Sequence, residues 1–243
     1  MNECLKNIDV VVLAGGLGTR LAGVLDGTPK VLAPIGGRPF VSLLLSWLED
    51  FGARRVIFGL GHLAGEVERY LAENTPAGME CISVVEPEPL GTAGAIRHLA
   101  GHIRNFPVLV LNGDTFVDAD LCKFLFGHTV SGTPGTILCT RVTDAGRFGS
   151  IDINGHERIV GFFEKNISGG SGGTINAGVY LFEREMLGII FETQGPSLET
   201  DVFQKLGPGT LGAHEGEFPF LDIGTPDDLA RAPEILAPYF GAS

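Results

Sequence analysis

The sequence predicts an α/β fold, and three observations support this. Short apolar runs alternate with segments of helical periodicity through the first half of the chain. The second half changes to short β-rich segments separated by glycine turns. The length of 243 residues is enough for one large domain with a full hydrophobic core. We therefore expect a Rossmann-like three-layer sandwich with a mixed, mostly parallel central sheet and a β-rich portion in its second half.

Strand and helix signals alternate along the first half. Apolar runs predict four strands, at 9–13, 55–60, 82–86 and 107–111. The helical segments between them lie at 39–51, 62–73 and 92–104. Because strand–helix–strand connections are right-handed, this order predicts parallel strands with helices on both faces. Further strands, which should extend the sheet and build a pocket above it, are predicted at 136–141, 149–153, 158–163 and 177–182.

Composition excludes several classes of protein. A net charge of −12 without any basic cluster argues against a nucleic acid partner. No apolar run has the length of a membrane span and no signal-peptide pattern precedes the first strand, so we expect a cytoplasmic protein without a membrane partner. The cysteines form no C-x-x-C pair and are interpreted as reduced, mostly buried thiols: Cys4, Cys81, Cys122 and Cys139. The sequence leaves the oligomeric state open, including a homo-oligomer.

A glycine-rich loop follows the first predicted strand. It is closed by Thr28-Pro29-Lys30 and reads Leu13-Ala14-Gly15-Gly16-Leu17-Gly18-Thr19-Arg20-Leu21. Backbone N–H groups of such a turn can approach a polyphosphate because no Cβ stands in the way. Arg20 and Lys30 supply cations for the same phosphates. We therefore predict a nucleotide used as a phosphate donor, bound at Leu13, Ala14, Gly15, Gly16, Gly18 and Thr19.

Two familiar glycine motifs fit this loop badly. The Walker motif requires a Lys-Ser or Lys-Thr pair after the glycines, and none follows here. The dinucleotide fingerprint requires a third glycine where this chain has Leu21. Glycine-rich turns after strands are common in α/β proteins, so the loop alone does not establish a ligand site.

Two aspartates stand where predicted strands end. Asp114 follows the fourth strand, and Asp222 follows a short β segment before a helix predicted to begin at Pro226. Mg²⁺ is commonly bound by one or two carboxylates together with substrate phosphates. Either aspartate alone is equally compatible with a turn or capping role. Since ligands of open parallel sheets lie at the carboxyl ends of strands, Asp114, segment 86–94 and the glycine loop should meet in one crevice.

Taken together, these motifs resemble the signature of the sugar-phosphate nucleotidyltransferases. The resemblance runs from Val11 to about Leu229. In detail it is most similar to the D-glycero-α-D-manno-heptose 1-phosphate guanylyltransferases, through PLGTAGA, Arg147-Phe148-Gly149, a Gly-Phe-x-Glu-Lys segment and a D-I-G-x-P-[DE]-D ending. Hexapeptide repeats of a C-terminal β-helix, present in many mannose-1-phosphate guanylyltransferases, do not occur in the sequence.

The resemblance implies a set of site residues and a division of one domain, 1–243, into a nucleotide-binding half (about 1–115) and a sugar-phosphate-binding half (about 116–243). The catalytic residues are Arg20, Lys30, Asp114 and Asp222, with Mg²⁺ held by Asp114 and Asp222. Further nucleotide contacts are Glu86, Pro89, Leu90, Gly91, Thr92, Asn112 and Gly113. The sugar-phosphate contacts are Gly149, Glu164, Lys165, Asn176, Ala177, Gly178 and Glu199. Without the resemblance, Glu164-Lys165 is compatible with solvated charge, and Ser197, Glu199 and Thr200 with the opening turn of a helix.

The implied reaction transfers a nucleotidyl group from GTP to the heptose 1-phosphate and releases pyrophosphate. No serine or cysteine looks paired with a histidine, and the acceptor phosphate, with a second pKa of about 6, can attack without a general base. Glu86 favours guanine, whose N1–H and N2 amino group can both donate to a carboxylate. The alternatives are mannose 1-phosphate, another sugar phosphate or UTP, and a non-catalytic regulatory protein that binds a sugar nucleotide. The segment Gly169–Gly173 is predicted to be a flexible hairpin tip.

Overall fold

The computed structural model describes residues 3–146, 148–163 and 172–239. In the described part of the chain the strands are β1 (Asp9–Ala14), β2 (Pro34–Ile35), β3 (Arg38–Pro39), β4 (Arg55–Leu60), β5 (Glu80–Val85), β6 (Val108–Asn112), β7 (Thr115–Val117), β8 (Gly135–Val142), β9 (Ser150–Ile153), β10 (Ile159–Phe163), β11 (Gly173–Phe182), β12 (Gly212–Gly216) and β13 (Phe220–Asp222). The helices are α1 (Ala22–Leu25), α2 (Phe40–Asp50), α3 (Ala64–Asn74), α4 (Gly91–Leu99), α5 (Leu121–Ser131), α6 (Arg184–Glu192) and α7 (Pro226–Leu236). Short 3-10 turns lie at Thr19–Leu21, Lys30–Leu32, Ala100–His102, Phe203–Lys205 and Ala237–Tyr239, and a π-helical turn lies at Leu198–Val202.

The central sheet has seven strands in the order β12-β8-β11-β6-β1-β4-β5. Strand β11 is antiparallel to both of its neighbours, and the other pairs in this sheet are parallel. The predicted mixed, mostly parallel sheet is therefore confirmed. Of the four strands predicted in the second half, β8 and β11 extend the sheet, whereas β9 and β10 form a separate antiparallel hairpin.

Helices cover both faces of this sheet. Along β1, Val10 and Val12 belong to a core packed against α2, α5 and α7, whereas Val11 belongs to a second core packed against α4 and α6. Successive strand residues point to opposite faces, so an uninterrupted apolar strand is what a sheet buried on both sides requires. The three-layer arrangement follows from this pattern.

The helix predicted at Pro226 begins there and is capped as its sequence suggests. Thr225 Oγ1 accepts a hydrogen bond from the backbone N–H of Asp228 at 3.3 Å, and Pro226 occupies the first helical turn. The helix predicted over 92–104 is shorter than expected: α4 ends at Leu99 and continues as a 3-10 turn. No helix in the described ranges is both long and apolar enough to cross a membrane.

The interpretation of all four cysteines as reduced thiols is wrong. Cys4, just before β1, and Cys122, in the first turn of α5, form a disulfide across 118 positions, with Cα atoms 5.6 Å apart. Cys81 is half-buried and free, and Cys139 is buried and free. Spacing along the chain gave no sign of this pair because its members are brought together only by the packing of the N-terminal segment and α5.

Candidate active site

The glycine loop leaves the end of β1, between β4 and β6, and at two of its contacts a Cβ would require a neighbouring group to move. A Cβ on Gly15 would lie 2.4 Å from Oε1 of Glu86, and a Cβ on Gly61 would lie 2.3 Å from the carbonyl oxygen of Gly15. Gly18 has a φ of 59°, in the region that favours glycine. The loop thus passes close to both the backbone after β4 and the Glu86 carboxylate.

A cavity of about 440 Å³ opens over this loop. The cavity lies at the ends of β1 and β6, beside the start of α4 and the turn at Lys30. Its lining residues are Leu13, Ala14, Gly15, Gly16, Leu17, Gly18, Thr19, Lys30, Val31, Glu86, Pro89, Gly91, Thr92, Ala95, Asn112, Gly113 and Asp114. A second cavity of about 420 Å³, between β10 and the turn at 203–208, has no ionisable side chain among its described lining residues. The first cavity is therefore the candidate site.

Glu86 is buried in the wall of this cavity. Its side chain accepts a hydrogen bond from the backbone N–H of Leu90 through Oε2 at 3.2 Å, while Oε1 faces Gly15. Burial raises the pKa of Glu86, and the Leu90 N–H opposes that rise. One carboxylate oxygen is thus fixed by the chain, and the other faces the glycine loop at the edge of the cavity.

An ion pair joins two parts of the cavity wall. Lys30 Nζ donates to Oδ2 of Asp114, which connects the turn after Pro29 to the end of β6. Arg20, by contrast, lies exposed in the turn at Thr19–Leu21 and does not line the cavity.

The short antiparallel pair of β7 and β13 brings the two predicted aspartates together. Asp222 pairs in register with Thr115, and the backbone N–H of Ile223 donates to the carbonyl oxygen of Asp114 at 3.0 Å. Burial raises the pKa of Asp222, and the neighbouring Asp114 carboxylate raises it further. Strand pairing therefore places two carboxylates that are distant in the sequence beside each other.

The aspartate pair fits a divalent cation. Oδ1 of Asp222 is buried without a hydrogen-bond partner among the described residues, and the repulsion between the two carboxylates favours positive charge between them. No cluster of three or more histidine, cysteine, aspartate or glutamate side chains suited to a metal occurs within the described ranges. A cation here would therefore need oxygen ligands from substrate or water, as Mg²⁺ at phosphates commonly has.

Polar side chains from α4, β11 and the π-helical turn meet beside the cavity. Glu199 accepts hydrogen bonds from the hydroxyls of Ser197 at 3.1 Å, Thr92 at 3.5 Å and Tyr180 at 3.3 Å. Ser197 Oγ also accepts from the N–H of Thr200. The helix-opening role is confirmed for Ser197, whose hydroxyl caps the N–H of Thr200, and Glu199 in the same turn lies next to Thr92.

The remaining predicted residues are distributed as follows. Gly178 is in close contact with Asn112, where a Cβ would lie 2.7 Å from Nδ2, and Ala177 is buried behind it. Gly149 has a φ of 81° before β9, outside the cavity lining. Leu90 contributes only its N–H, to Glu86. Arg147, Glu164, Lys165 and most of the segment Gly169–Gly173 lie outside the described residues.

Sequence reasoning did not find several residues of the site. Leu17, Val31 and Ala95 line the cavity, and Tyr180 binds Glu199 from an apolar strand. Leu17 stood within the glycine loop and could have been included. Tyr180 carried no signal, because an aromatic residue in an apolar run is usually an ordinary core residue.

Comparisons with known proteins place the chain in a family. A family model described as nucleotidyl transferase matches residues 9–237. The chain is 32% identical over 237 residues to the D-glycero-alpha-D-manno-heptose 1-phosphate guanylyltransferase of Aneurinibacillus thermoaerophilus, covering 96% of this chain and 100% of that protein. It is 34% identical over 227 residues to the mannose-1-phosphate guanylyltransferase of Mycobacterium tuberculosis, covering 92% of this chain and 63% of that protein. The chain thus spans less than two thirds of the length of the mycobacterial relative.

Solved structures show the same fold. HddC from Yersinia pseudotuberculosis matches with a TM-score of 0.82 and 34% identity, over 93% of this chain and 98% of that one. HddC complexed with GMP-PN matches with a TM-score of 0.81 and the same identity and coverage.

Proposed function

Because the chain belongs to the nucleotidyl transferase family, we propose that it transfers the guanylyl group of GTP to a sugar 1-phosphate, giving a GDP-sugar and pyrophosphate. One observation carries the proposal: a single cavity brings together the glycine loop, the buried Glu86 carboxylate and the Lys30–Asp114 ion pair. The backbone of the glycine loop would bind phosphates, Glu86 would contact the base, and the Lys30–Asp114 pair would provide charged groups at the site of transfer.

The reaction needs alignment and charge neutralisation rather than a covalent intermediate. An oxygen of the acceptor phosphate attacks the α-phosphorus of GTP. The new P–O bond forms as the bond to the bridging oxygen of the β-phosphate breaks, and pyrophosphate leaves with that electron pair. In this proposal Lys30 binds the donor phosphates in the cavity and orients the α-phosphorus for in-line attack, and Arg20 reaches the same phosphates from the exposed turn at Thr19–Leu21. Asp114 and Asp222 would hold Mg²⁺, which supplies further positive charge to the phosphates when bound.

Glu86 supports guanine as the base. Guanine presents N1–H and its N2 amino group side by side, and a carboxylate is an acceptor with about four lone-pair positions. Uracil and thymine present one N–H between two carbonyl oxygens, so a carboxylate would repel part of their edge. The HddC complex with GMP-PN agrees with this choice of base.

The acceptor in this proposal is D-glycero-α-D-manno-heptose 1-phosphate. Its support is the relative from Aneurinibacillus thermoaerophilus, which the chain matches along its full length. Mannose 1-phosphate is the second candidate, since the relative from Mycobacterium tuberculosis carries that name. Asn176 and Glu199 would contact the sugar hydroxyls, and Lys165 would face the acceptor phosphate. Glu164, Gly149, Ala177 and Gly178 would belong to the same sugar-phosphate site, Ala177 as buried support behind Gly178.

We also propose that both halves work as one domain, in the cytoplasm, where GTP is available. Disulfides are rare in that reducing compartment, so the Cys4–Cys122 bond counts against this location. Thiol trapping of the protein in intact cells, followed by mass spectrometry, would test this location by showing whether Cys4 and Cys122 are bonded or reduced there.

The function is tested by pyrophosphate release in the presence of Mg²⁺. ATP, GTP, CTP, UTP and dTTP are each combined with heptose, mannose and glucose 1-phosphates. We expect release with GTP and the heptose phosphate, with mannose 1-phosphate as the next best acceptor. Release with a different nucleotide would contradict the role of Glu86, and folded protein that releases nothing with any pair would contradict the proposed reaction.

A further inference from the structure

A buried tyrosine hydroxyl lies at the centre of the polar side chains on the acceptor side. Tyr180 in β11 has no exposed surface. Its hydroxyl accepts a hydrogen bond from Nδ2 of Asn176 at 2.9 Å and donates one to Oε1 of Glu199 at 3.3 Å. The Asn112 side chain, at the end of β6, lies near the same hydroxyl and lowers the pKa of Tyr180. Burial and the Glu199 carboxylate raise the pKa of Tyr180 well above its usual value, so the hydroxyl keeps its proton and remains a donor.

An irregularity in β11 makes this contact possible. In a regular strand, residues four apart are about 13 Å distant at about 3.3 Å per residue, too far for a hydrogen bond. The pairing of β11 with β8 shifts register between Asn176 and Tyr180, and Gly178 between them has a φ of 71°. The Gly178 N–H also donates to Oδ1 of Asn176 at 2.9 Å, so both ends of the Asn176 amide are held by β11 itself.

The Glu199 carboxylate is nearly saturated by the chain. A carboxylate offers about four lone-pair positions. Ser197 and Thr92 donate to Oε2, and Tyr180 donates to Oε1. About one position therefore remains for a ligand hydroxyl. The three hydroxyls that bind the carboxylate fix the direction in which this remaining lone pair points.

We propose that Tyr180 is a positioning residue that fixes Asn176 and Glu199 and thereby determines which sugar hydroxyl the acceptor site binds. This inference rests on the proposed function, and it adds a selection among sugar 1-phosphates that differ at one hydroxyl. A site built to bond a hydroxyl in one direction discriminates strongly against an acceptor that leaves its polar groups unpaired. A carboxylate free to rotate would adapt to either epimer and lose that discrimination.

Tyr180→Phe tests the inference, because it removes one oxygen and keeps the ring packed on Phe182 and Phe203. We expect the KM for the preferred acceptor to rise about tenfold, while the KM for GTP stays within about twofold. We also expect the ratio of kcat/KM between mannose 1-phosphate and its C2 epimer glucose 1-phosphate to move at least about fivefold towards unity.

Tyr239→Phe is the matched control, since it removes a hydroxyl that donates to Oδ2 of Asp118 at 2.7 Å, away from the cavity. It should change neither KM nor the acceptor ratio. The positioning role would be overturned if Tyr180→Phe left the ratio of kcat/KM between the two sugar phosphates unchanged. It would also be overturned if the KM for the acceptor and the KM for GTP rose equally.

A crystal structure of the Tyr180→Phe variant separates this inference from the proposed function. Reoriented Asn176 and Glu199 side chains support the positioning role, and unchanged ones overturn it, whatever the activity. Wild-type protein that transfers to none of the sugar phosphates would contradict the proposed function and leave the crystallographic comparison as the test of Tyr180.

Discussion

The proposed nucleotide side and the proposed acceptor side of the site are built by different means. The nucleotide side, at the cavity, consists mainly of backbone turns that directly follow the parallel strands β1 and β6 in the sequence. The acceptor side, beside the cavity, consists of side chains such as Thr92, Tyr180 and Glu199, which are joined by hydrogen bonds across as many as 107 positions. Local sequence can encode the first kind of surface, whereas the second depends on the completed fold.

The largest loss of activity is expected from substitutions in the aspartate pair, Asp114 and Asp222. Asp114→Asn and Asp222→Asn should each lower kcat on the order of 10²–10³-fold, because each removes a carboxylate that would hold Mg²⁺ at the phosphates. Steady-state kinetics with saturating Mg²⁺ measure this, and thermal melting checks that the fold is intact. Asp152→Asn, an exposed position in β9, serves as the control. Near-wild-type turnover by either variant would contradict the role of the pair.

The next largest effect is expected from adding a Cβ to the glycine loop on the nucleotide side. In Gly15→Ala the new Cβ would lie 2.4 Å from Oε1 of Glu86. The carboxylate is the end of a flexible side chain, so it can shift at little cost in stability, but it then leaves its position at the cavity. We expect the KM for GTP to rise about tenfold or more with a nearly unchanged melting temperature.

Gly65→Ala in α3 is the matched control for this variant, because its Cβ would meet nothing within 4 Å. If Gly15→Ala keeps the wild-type KM for GTP, the close approach of Gly15 and Glu86 has no part in nucleotide binding.

These two sides also show why prediction from the sequence succeeded unevenly. The apolar run of β1 is buried on both faces, and its continuous apolar character predicted a strand of a parallel sheet. The glycine loop that follows it predicted the cavity above the end of that strand. Asp114 and Asp222 could be proposed from the sequence because one follows an apolar strand and the other ends a short one. Tyr180 was not found, because its role arises from the bulge at Gly178 and from Glu199 in another segment. The Cys4–Cys122 bond was missed for the same reason.

A smaller effect sharpens the comparison at the base. In Glu86→Gln, one acceptor oxygen becomes an amide donor, which suits the carbonyls of uracil or thymine better than the edge of guanine. A lost or repelled polar contact costs about 1–3 kcal/mol, so the preference for GTP over UTP should fall by about 5–150-fold. Competition between the two nucleotides in one reaction measures this ratio directly.

Glu88→Gln, at an exposed position two residues further on, makes the same chemical change outside the cavity and should leave the preference unchanged. An equal preference for GTP in the Glu86 and Glu88 variants would mean that backbone groups read the base.

The smallest effect on activity is expected from the covalent bond between the two halves of the chain. The Cys4–Cys122 disulfide closes a long loop, and its loss should cost about 2–4 kcal/mol of unfolding free energy by releasing the unfolded chain. A double Cys4→Ser, Cys122→Ser variant should therefore melt about 5–15 °C lower than the oxidised wild type, with activity within about twofold below that transition. Added reductant should lower the melting temperature of wild type and of Cys81→Ser, whose thiol is free, but not that of the double variant. A loss of activity at low temperature would show instead that the bond holds the two sides of the cavity in register.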